Sequence, residues 1–259
     1  MEIPTKERLM IKAILNGCNG AMGRVITEIV SNDDAIEIVA GVDMNTAALA
    51  GYPVFQTLEE CPTADVVIDF SVAKATDGVL AYCEATKTPL VLCTTGLSEE
   101  QLERVAKVSE SSAVLRSANM SVGINLLFKV LKEVAPILAE AGFDIEILEK
   151  HHNRKLDAPS GTAIALADAI NESLDHSYHY KYDRTSERVK RDKKEIGIQA
   201  VRGGTIVGEH DIIFAGQDEV ITFNHTAYSR AISGKGAVQA AKFLAGKGAG
   251  MYDMSDVIG

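Results

Sequence analysis

Residues 149–163 carry the densest chemistry in the chain: Glu149-Lys150-His151-His152-Asn153-Arg154-Lys155-Leu156-Asp157-Ala158-Pro159-Ser160-Gly161-Thr162-Ala163. Imidazoles give or take a proton near neutrality, so His151 and His152 are candidates for acid–base work. Arg154 and Lys155 are fixed positive charges beside them. Pro159-Ser160-Gly161-Thr162 reads as a helix start with Ser160 at the N-cap. Such a start leaves the N–H groups of Gly161 and Thr162 without partners inside the helix and aims them at an anion, with the Thr162 hydroxyl as a further donor. The segment predicts a carboxylate cradle with an acid beside it. The alternatives are a surface histidine pair at a strand end and an ordinary helix cap; Lys155 and the anion-ready helix start favour the cradle. No third histidine or carboxylate stands at metal-ligand spacing, so no metal is expected, and no Gly-x-Ser-x-Gly element supports a serine hydrolase.

A second group precedes it: Asn16-Gly17-Cys18-Asn19-Gly20-Ala21-Met22-Gly23-Arg24. The Gly17-x-x-Gly20-x-x-Gly23 spacing is a variant of the dinucleotide fingerprint. Gly17 permits a tight turn, Gly20 lets the backbone approach a pyrophosphate, and Gly23 lets a helix pack on a strand. Backbone N–H groups and the helix dipole then face the phosphates. Asp43 ends the next apolar run, twenty residues beyond Gly23. There it can accept hydrogen bonds from ribose hydroxyls. Met44-Asn45-Thr46 supplies no base for a 2′-phosphate, so NADH is expected to serve at least as well as NADPH. A purely structural turn with a solvent-facing Asp43 is the alternative.

The elements that must position these groups fall into two patterns. In the first half, short apolar runs (Met10–Asn16, Ile36–Val42, Val66–Phe70, Leu90–Cys93, Ala113–Leu115) alternate with helical segments at Met22–Val30, Ala73–Thr86 and Ser98–Glu110. Ser98-x-x-Gln101 is a capping box. Buried strands separated by helices predict a parallel sheet covered by helices. In the second half come a helix over Asn125–Glu140, interrupted or bent at Pro136, a strand over Phe143–Lys150 and a helix over Gly161–Leu174. Three consecutive strands follow (Glu195–Val201, Gly208–Ala215, Glu219–Ala227), as in an α+β domain with a mixed sheet. A last helix, Gly236–Leu244, is a candidate to return to the first domain. The basic stretch between Asp175 and Lys194 is interleaved with acids and reads as a solvated surface loop, with attraction of an anionic substrate as its functional alternative.

The chain has 259 residues, of which 46% are apolar and 24% charged, ordinary for a globular protein. Against 26 Lys and Arg stand 36 Asp and Glu, a net charge of −10. That balance repels nucleic acid and anionic membranes. No run approaches the roughly 18 apolar residues of a membrane span. The charged start Met1–Arg8 has no apolar core of a secretory signal. Cys18, Cys61, Cys83 and Cys93 show no metal or disulfide spacing and read as reduced thiols of a cytoplasmic protein.

With these residues in view, the chain resembles the bacterial 4-hydroxy-tetrahydrodipicolinate (dihydrodipicolinate) reductase family over nearly its whole length. His151-His152-x-x-Lys155-x-Asp157-Ala158-Pro159-Ser160-Gly161-Thr162 is similar to its signature. Gly17–Gly23, Asp69-Phe70-Ser71, Thr94-Thr95-Gly96 and Ala118–Asn125 resemble its nucleotide turn and cofactor-facing loops. Val207–His210 and Ser229-Arg230 resemble its substrate-domain and hinge elements. The resemblance implies NADH- or NADPH-dependent hydride transfer to the unsaturated ring of a small dicarboxylate, with a proton added. It implies His151 as general acid, Lys155 as its assistant, and His152, Lys155, Gly161 and Thr162 as the carboxylate-binding set. It implies Gly17, Gly20, Ala21, Met22, Asp43, Thr95, Gly96, Ala118 and Met120 as cofactor-lining residues, and a homotetramer. Residues 1–122 with 230–259 are expected to form the Rossmann-like dinucleotide domain, and 123–229 the α+β substrate-binding and oligomerisation domain. The chain departs from the family's pattern at Cys93, where glycine is common, and at Met120, where an aromatic residue often stands.

Overall fold

The computed structural model describes residues 10–259; the charged start Met1–Arg8 lies outside them. In chain order the first elements are β1 (Ile11–Asn16), α1 (Ala21–Val30), β2 (Ile36–Val42), β3 (Val54–Phe55), β4 (Val66–Asp69), α2 (Thr76–Thr86), β5 (Leu90–Leu92), α3 (Glu99–Ser109) and β6 (Ala113–Leu115). Then come α4 (Val122–Glu140), β7 (Asp144–His151), α5 (Gly161–Glu172), β8 (His179–Lys181), β9 (Glu195–Arg202), β10 (Gly208–Ala215) and β11 (Val220–Ala227). The chain ends with α6 (Ala231–Leu244), β12 (Gly250–Tyr252) and α7 (Met254–Ile258). It divides into two compact units, one of the described residues to Met120 together with Ala231–Gly259, the other Ser121–Arg230.

The first unit holds an all-parallel sheet in the order β12-β6-β5-β4-β1-β2-β3. Consecutive residues Ala13, Ile14 and Leu15 in β1, and Val66, Val67 and Ile68 in β4, are all buried. Only a sheet covered on both faces buries both side-chain rows, which explains the unbroken apolar runs. From β1 the chain moves to β2 and β3 on one side, then returns to β4 on the other. The loops after β1 and β4 thus flank the point where the strand order reverses, the usual place for a ligand crevice. Ser98 caps α3 as its spacing predicts, with Gln101 bonding back.

The second unit is a mixed sheet, β11-β10-β7-β9-β8. Strand β10 runs antiparallel to β11 and β7, and β9 parallel to β7 and β8. Helices α4 and α5 cover one face, where Ile145, Ile147, Ile196, Ile198, Ile212 and Phe214 point inward. The architecture is therefore α/β, Rossmann-like, with a second α+β unit.

Three expectations need correction. Helix α4 is not interrupted at Pro136; it starts at Val122 under a Ser121 cap and runs to Glu140. Proline costs one backbone bond there, and burial of Leu131 and Ala135 on the same helix offsets the loss. Helix α6 starts five residues earlier than the sequence pattern gives. Its glycines are kept for packing: a Cβ on Gly234 would stand 2.9 Å from Ile29 Cδ1, and one on Gly236 would run into the Met120 carbonyl. The basic stretch is not simply a solvated loop. It contains β8, and two of its arginines are consumed internally: Arg191 donates to Asp144, Glu146 and the Ile145 and Glu195 carbonyls. Arg184 donates to Glu146 and pairs with Glu195. Charges already matched to sheet carboxylates do not attract an anionic substrate. Arg188, Lys190, Lys193 and Lys194 keep the exposed character expected of the whole stretch.

Candidate active site

On the helix-covered face of the mixed sheet, the apolar rows end in a polar rung. Along β7, Ile145 and Ile147 give way to Glu149 and then His151; along β10, Phe214 and Ile212 give way to His210. Strand register sets His210 opposite Glu149 on one side and His225 on the other. Glu149 is wholly buried. Its carboxylate accepts both Arg202 nitrogens, Nη1 at 2.7 Å and Nη2 at 2.6 Å. It also accepts the Ser160 N–H at 2.9 Å and contacts His151 Nδ1 at 2.6 Å. Burial pushes this carboxyl up, but hydrogen bonds from Arg202, His151 and Ser160 outweigh it and hold it below its ordinary range. Arg202, opposite His151 on β9, further donates to the Asp157 carbonyl and so ties the following loop to the sheet.

That loop delivers the remaining groups. Ser160 caps α5, its Oγ accepting the Ala163 N–H. The same Oγ lies 3.1 Å from His210 Nε2. Burial, followed by the neighbouring His151 and His225, pushes His210 down to about 4, so it is neutral at pH 7. The His210 and His151 rings meet edge-on, 5.3 Å between centroids. His152 is likewise pushed down, by desolvation first and then by Arg154 and Arg230. Lys155 donates its N–H to the His152 carbonyl and pairs with Asp157 at 2.9 Å. The Asp157 carboxylate is lowered, first by Lys155 and least by the neighbouring Gly161 backbone. The carboxylate paired with Lys155 just before α5 is thus the protein's own. Gly161 is exposed and Thr162 half-buried beside it.

In the first unit, Gly17 has φ +82°, and a Cβ there would stand 2.6 Å from the Phe70 carbonyl oxygen. A Cβ on Gly23 would run into the Gly17 and Cys18 carbonyls. Gly20 is the N-cap of α1, with no side chain closing the helix start and no acid in its first turn. The N–H groups of Gly17, Cys18 and Gly20 go to backbone carbonyls, so the donors a pyrophosphate would meet are the first N–H groups of α1, which have no partner within the helix. Asp43 accepts the Asn19 N–H at 3.0 Å and the Asn45 N–H at 3.1 Å, which aims it beside this turn. A cavity of about 190 Å³ lined by Asn16, Val42, Thr57, Leu58 and Val79 adjoins the ends of β1 and β2. Ala21, Thr95, Gly96 and Ala118 are exposed and Met22 is half-buried. Met120 is instead buried, its carbonyl against Gly236.

Four residues to which the sequence reading gave no role of their own also build these sites. Glu149, Arg202 and His210 form the rung just described. Buried Asp69 accepts the Asn16 amide, the Ser71 hydroxyl and the Thr94 hydroxyl, joining the ends of β1, β4 and β5. The available signal was alternation: Glu149 continues the inward row of Ile145 and Ile147, and a charge on an apolar row needs a reason.

The chain matches the family model described as Dihydrodipicolinate reductase, N-terminus, over residues 11–120, and the corresponding C-terminus model over 123–258. It is 51% identical to the 4-hydroxy-tetrahydrodipicolinate reductase of Caldanaerobacter subterraneus subsp. tengcongensis, covering 96% of this chain and 99% of the relative. Identity to the Staphylococcus epidermidis protein of the same name is 43%, covering 92% and 97%. The solved structure of dipicolinate-bound dihydrodipicolinate reductase from Paenisporosarcina sp. TG-14 aligns with a TM-score of 0.77 at 26% identity, covering 95% of this chain and 98% of that one. Lactobacillus casei myo-inositol dehydrogenase, solved with NAD(H) and myo-inositol, shares the fold with a TM-score of 0.57 at 16% identity, covering 96% and 91%.

Proposed function

The chain belongs to the dihydrodipicolinate reductase family, and from that premise we propose how its residues divide the work of reducing 4-hydroxy-tetrahydrodipicolinate to tetrahydrodipicolinate. It is an NAD(P)H-dependent oxidoreductase of lysine and diaminopimelate biosynthesis. When bound, the reduced nicotinamide supplies the hydride. Gly17, Gly20, Ala21 and Met22 hold the pyrophosphate on the α1 N-terminus, and Asp43 takes the adenosine ribose. Thr95, Gly96, Ala118 and Met120 line the nicotinamide end.

The substrate is a dicarboxylate, as dipicolinate is in the Paenisporosarcina structure. One of its carboxylates replaces Asp157 between Lys155 and the first turn of α5, where Gly161 and Thr162 offer donors; His152 adds a further contact. His151 gives the proton, and Lys155 assists by its positive charge. The observation that carries this reading is the convergence of His151 and the α5 start on one buried carboxylate, Glu149, with Lys155 held in the same loop by Asp157. The outer face of the mixed sheet, with Val201 and Val220 exposed, supports assembly as a homotetramer. The four cysteines are free, in keeping with work in the cytoplasm.

The test is oxidation of NADH and of NADPH with freshly generated dihydrodipicolinate synthase product. Turnover is expected with both, NADH serving at least as well. His151→Ala and Lys155→Ala are expected to lower kcat by about 10²-fold. No turnover above the blank overturns the reading, and a strong NADPH preference overturns the role given to Asp43.

A further inference from the structure

We infer that Glu149 is a positioning residue for the proton transfer: it holds the Nδ1–H of His151 and so presents Nε2, beside Gly208, as the working nitrogen. This rests on His151 being the proton donor proposed for the reaction.

Every contact to the Glu149 carboxylate comes from a donor: the Arg202 fork, the Ser160 N–H and His151. An ionised carboxylate only accepts, so the hydrogen in the 2.6 Å contact belongs to Nδ1. The nitrogen bonded by a carboxylate fixes which one remains for chemistry. Arg202 on one side and Ser160 on the other prevent the carboxylate from turning away. A flip of the imidazole would break its bond to Glu149 and disturb its edge contact with His210.

Gly208 carries the second half of the argument. Its backbone φ lies outside the left-handed region, so conformation does not demand glycine there. A Cβ at Gly208 would stand 3.1 Å from His151 Nε2. The missing side chain leaves that nitrogen uncovered. In the protonated ring, the Nε2–H passes to the substrate atom made basic by hydride addition. The Nδ1–H stays on Glu149, and the neutral ring regains a proton from solvent.

The test reads the proton directly. In histidine-¹⁵N-labelled full-length protein at a pH where His151 is neutral, the Nδ1–H tautomer is expected; in Glu149→Gln it should become a mixture with Nε2–H. That variant should lose about 10²-fold in kcat with little change in the KM for NADH. An unchanged tautomer overturns the inference alone, since His151→Ala would still report on the proton donor. A changed tautomer with kcat retained overturns both. Should Glu149→Gln fail to fold with Arg202 unpaired, Glu149→Gln/Arg202→Gln removes both charges. Gly208→Ala, which changes no charge, should lower kcat by about 10-fold or more with the tautomer intact; wild-type kcat in Gly208→Ala also overturns the inference.

Discussion

His210 is buried under the α5 cap and titrates at about 4, against 6.5 for a free imidazole. An unfolded chain takes up a proton there near pH 6.5 and the folded chain does not until about pH 4. The unfolded state therefore binds more protons within that window, and stability falls as the pH is lowered through it. The contribution is full above pH 6.5, is lost progressively down to pH 4, and amounts to at most about 3 kcal/mol. Thermal unfolding between pH 7 and 4 should show this slope, and His210→Gln should flatten it; an unaltered slope would assign it to other groups. At this scale the sequence was legible where neighbours along the chain suffice. Gly17, Gly20 and Gly23 announce a turn, and Ser160 announces a cap, because each acts within a few residues. Glu149, Arg202 and His210 act across strands, Glu149 and His210 standing 61 positions apart in the chain. Only pairing in a sheet reveals such a group.

Among the elements, the unit of β1, its glycine turn and α1 is the most sharply specified. No side chain fits at Gly23, so Gly23→Ala must push the start of α1 off β1 and spoil the array of N–H donors. The expected outcome is NADH binding weakened by about 10-fold or more, with about 1–3 kcal/mol lost from stability. Calorimetric titration would check it; an unchanged Kd would mean that the turn does not hold the phosphates. Strong periodicity made α1, α3 and most strands readable. The short strands β8 (His-Tyr-Lys) and β12 (Gly-Met-Tyr) lack the unbroken apolar run that marks the equally short β5 and β6, and β3 has only two residues. Helix α6 was read short because Gly234 and Gly236 lower helix propensity, while the demand for close contact with Ile29 and the Met120 carbonyl lies elsewhere in the chain. Helix α4 survives Pro136 for a similar reason, since tertiary burial overrides a local preference. The basic stretch misled in the opposite direction: Arg184 and Arg191 look like solvated charges until Asp144, Glu146 and Glu195 are seen opposite them.

At the scale of the molecule, two ligands are assigned to two units, and their footprints should separate. In hydrogen exchange, NADH is expected to protect the β1–α1 turn and residues near Asp43 and Thr95, whereas pyridine-2,6-dicarboxylate should protect residues 151–163. Protection by the dicarboxylate confined to the first unit would refute the assignment. The division itself could be read from the change from alternating strands and helices to strands in succession. The course of the chain has one more consequence. In the sheet that begins at Ile11, α2 and α3 pack against β4, β5 and β6, but α6 joins those strands only once residues 231–244 exist, and the edge strand β12 comes later still. On the ribosome, Ser121–Arg230 has all its residues before the amino-terminal layer can close. The half translated first is thus the half finished last, and its bare apolar underside must be kept from aggregating while the inserted portion is made.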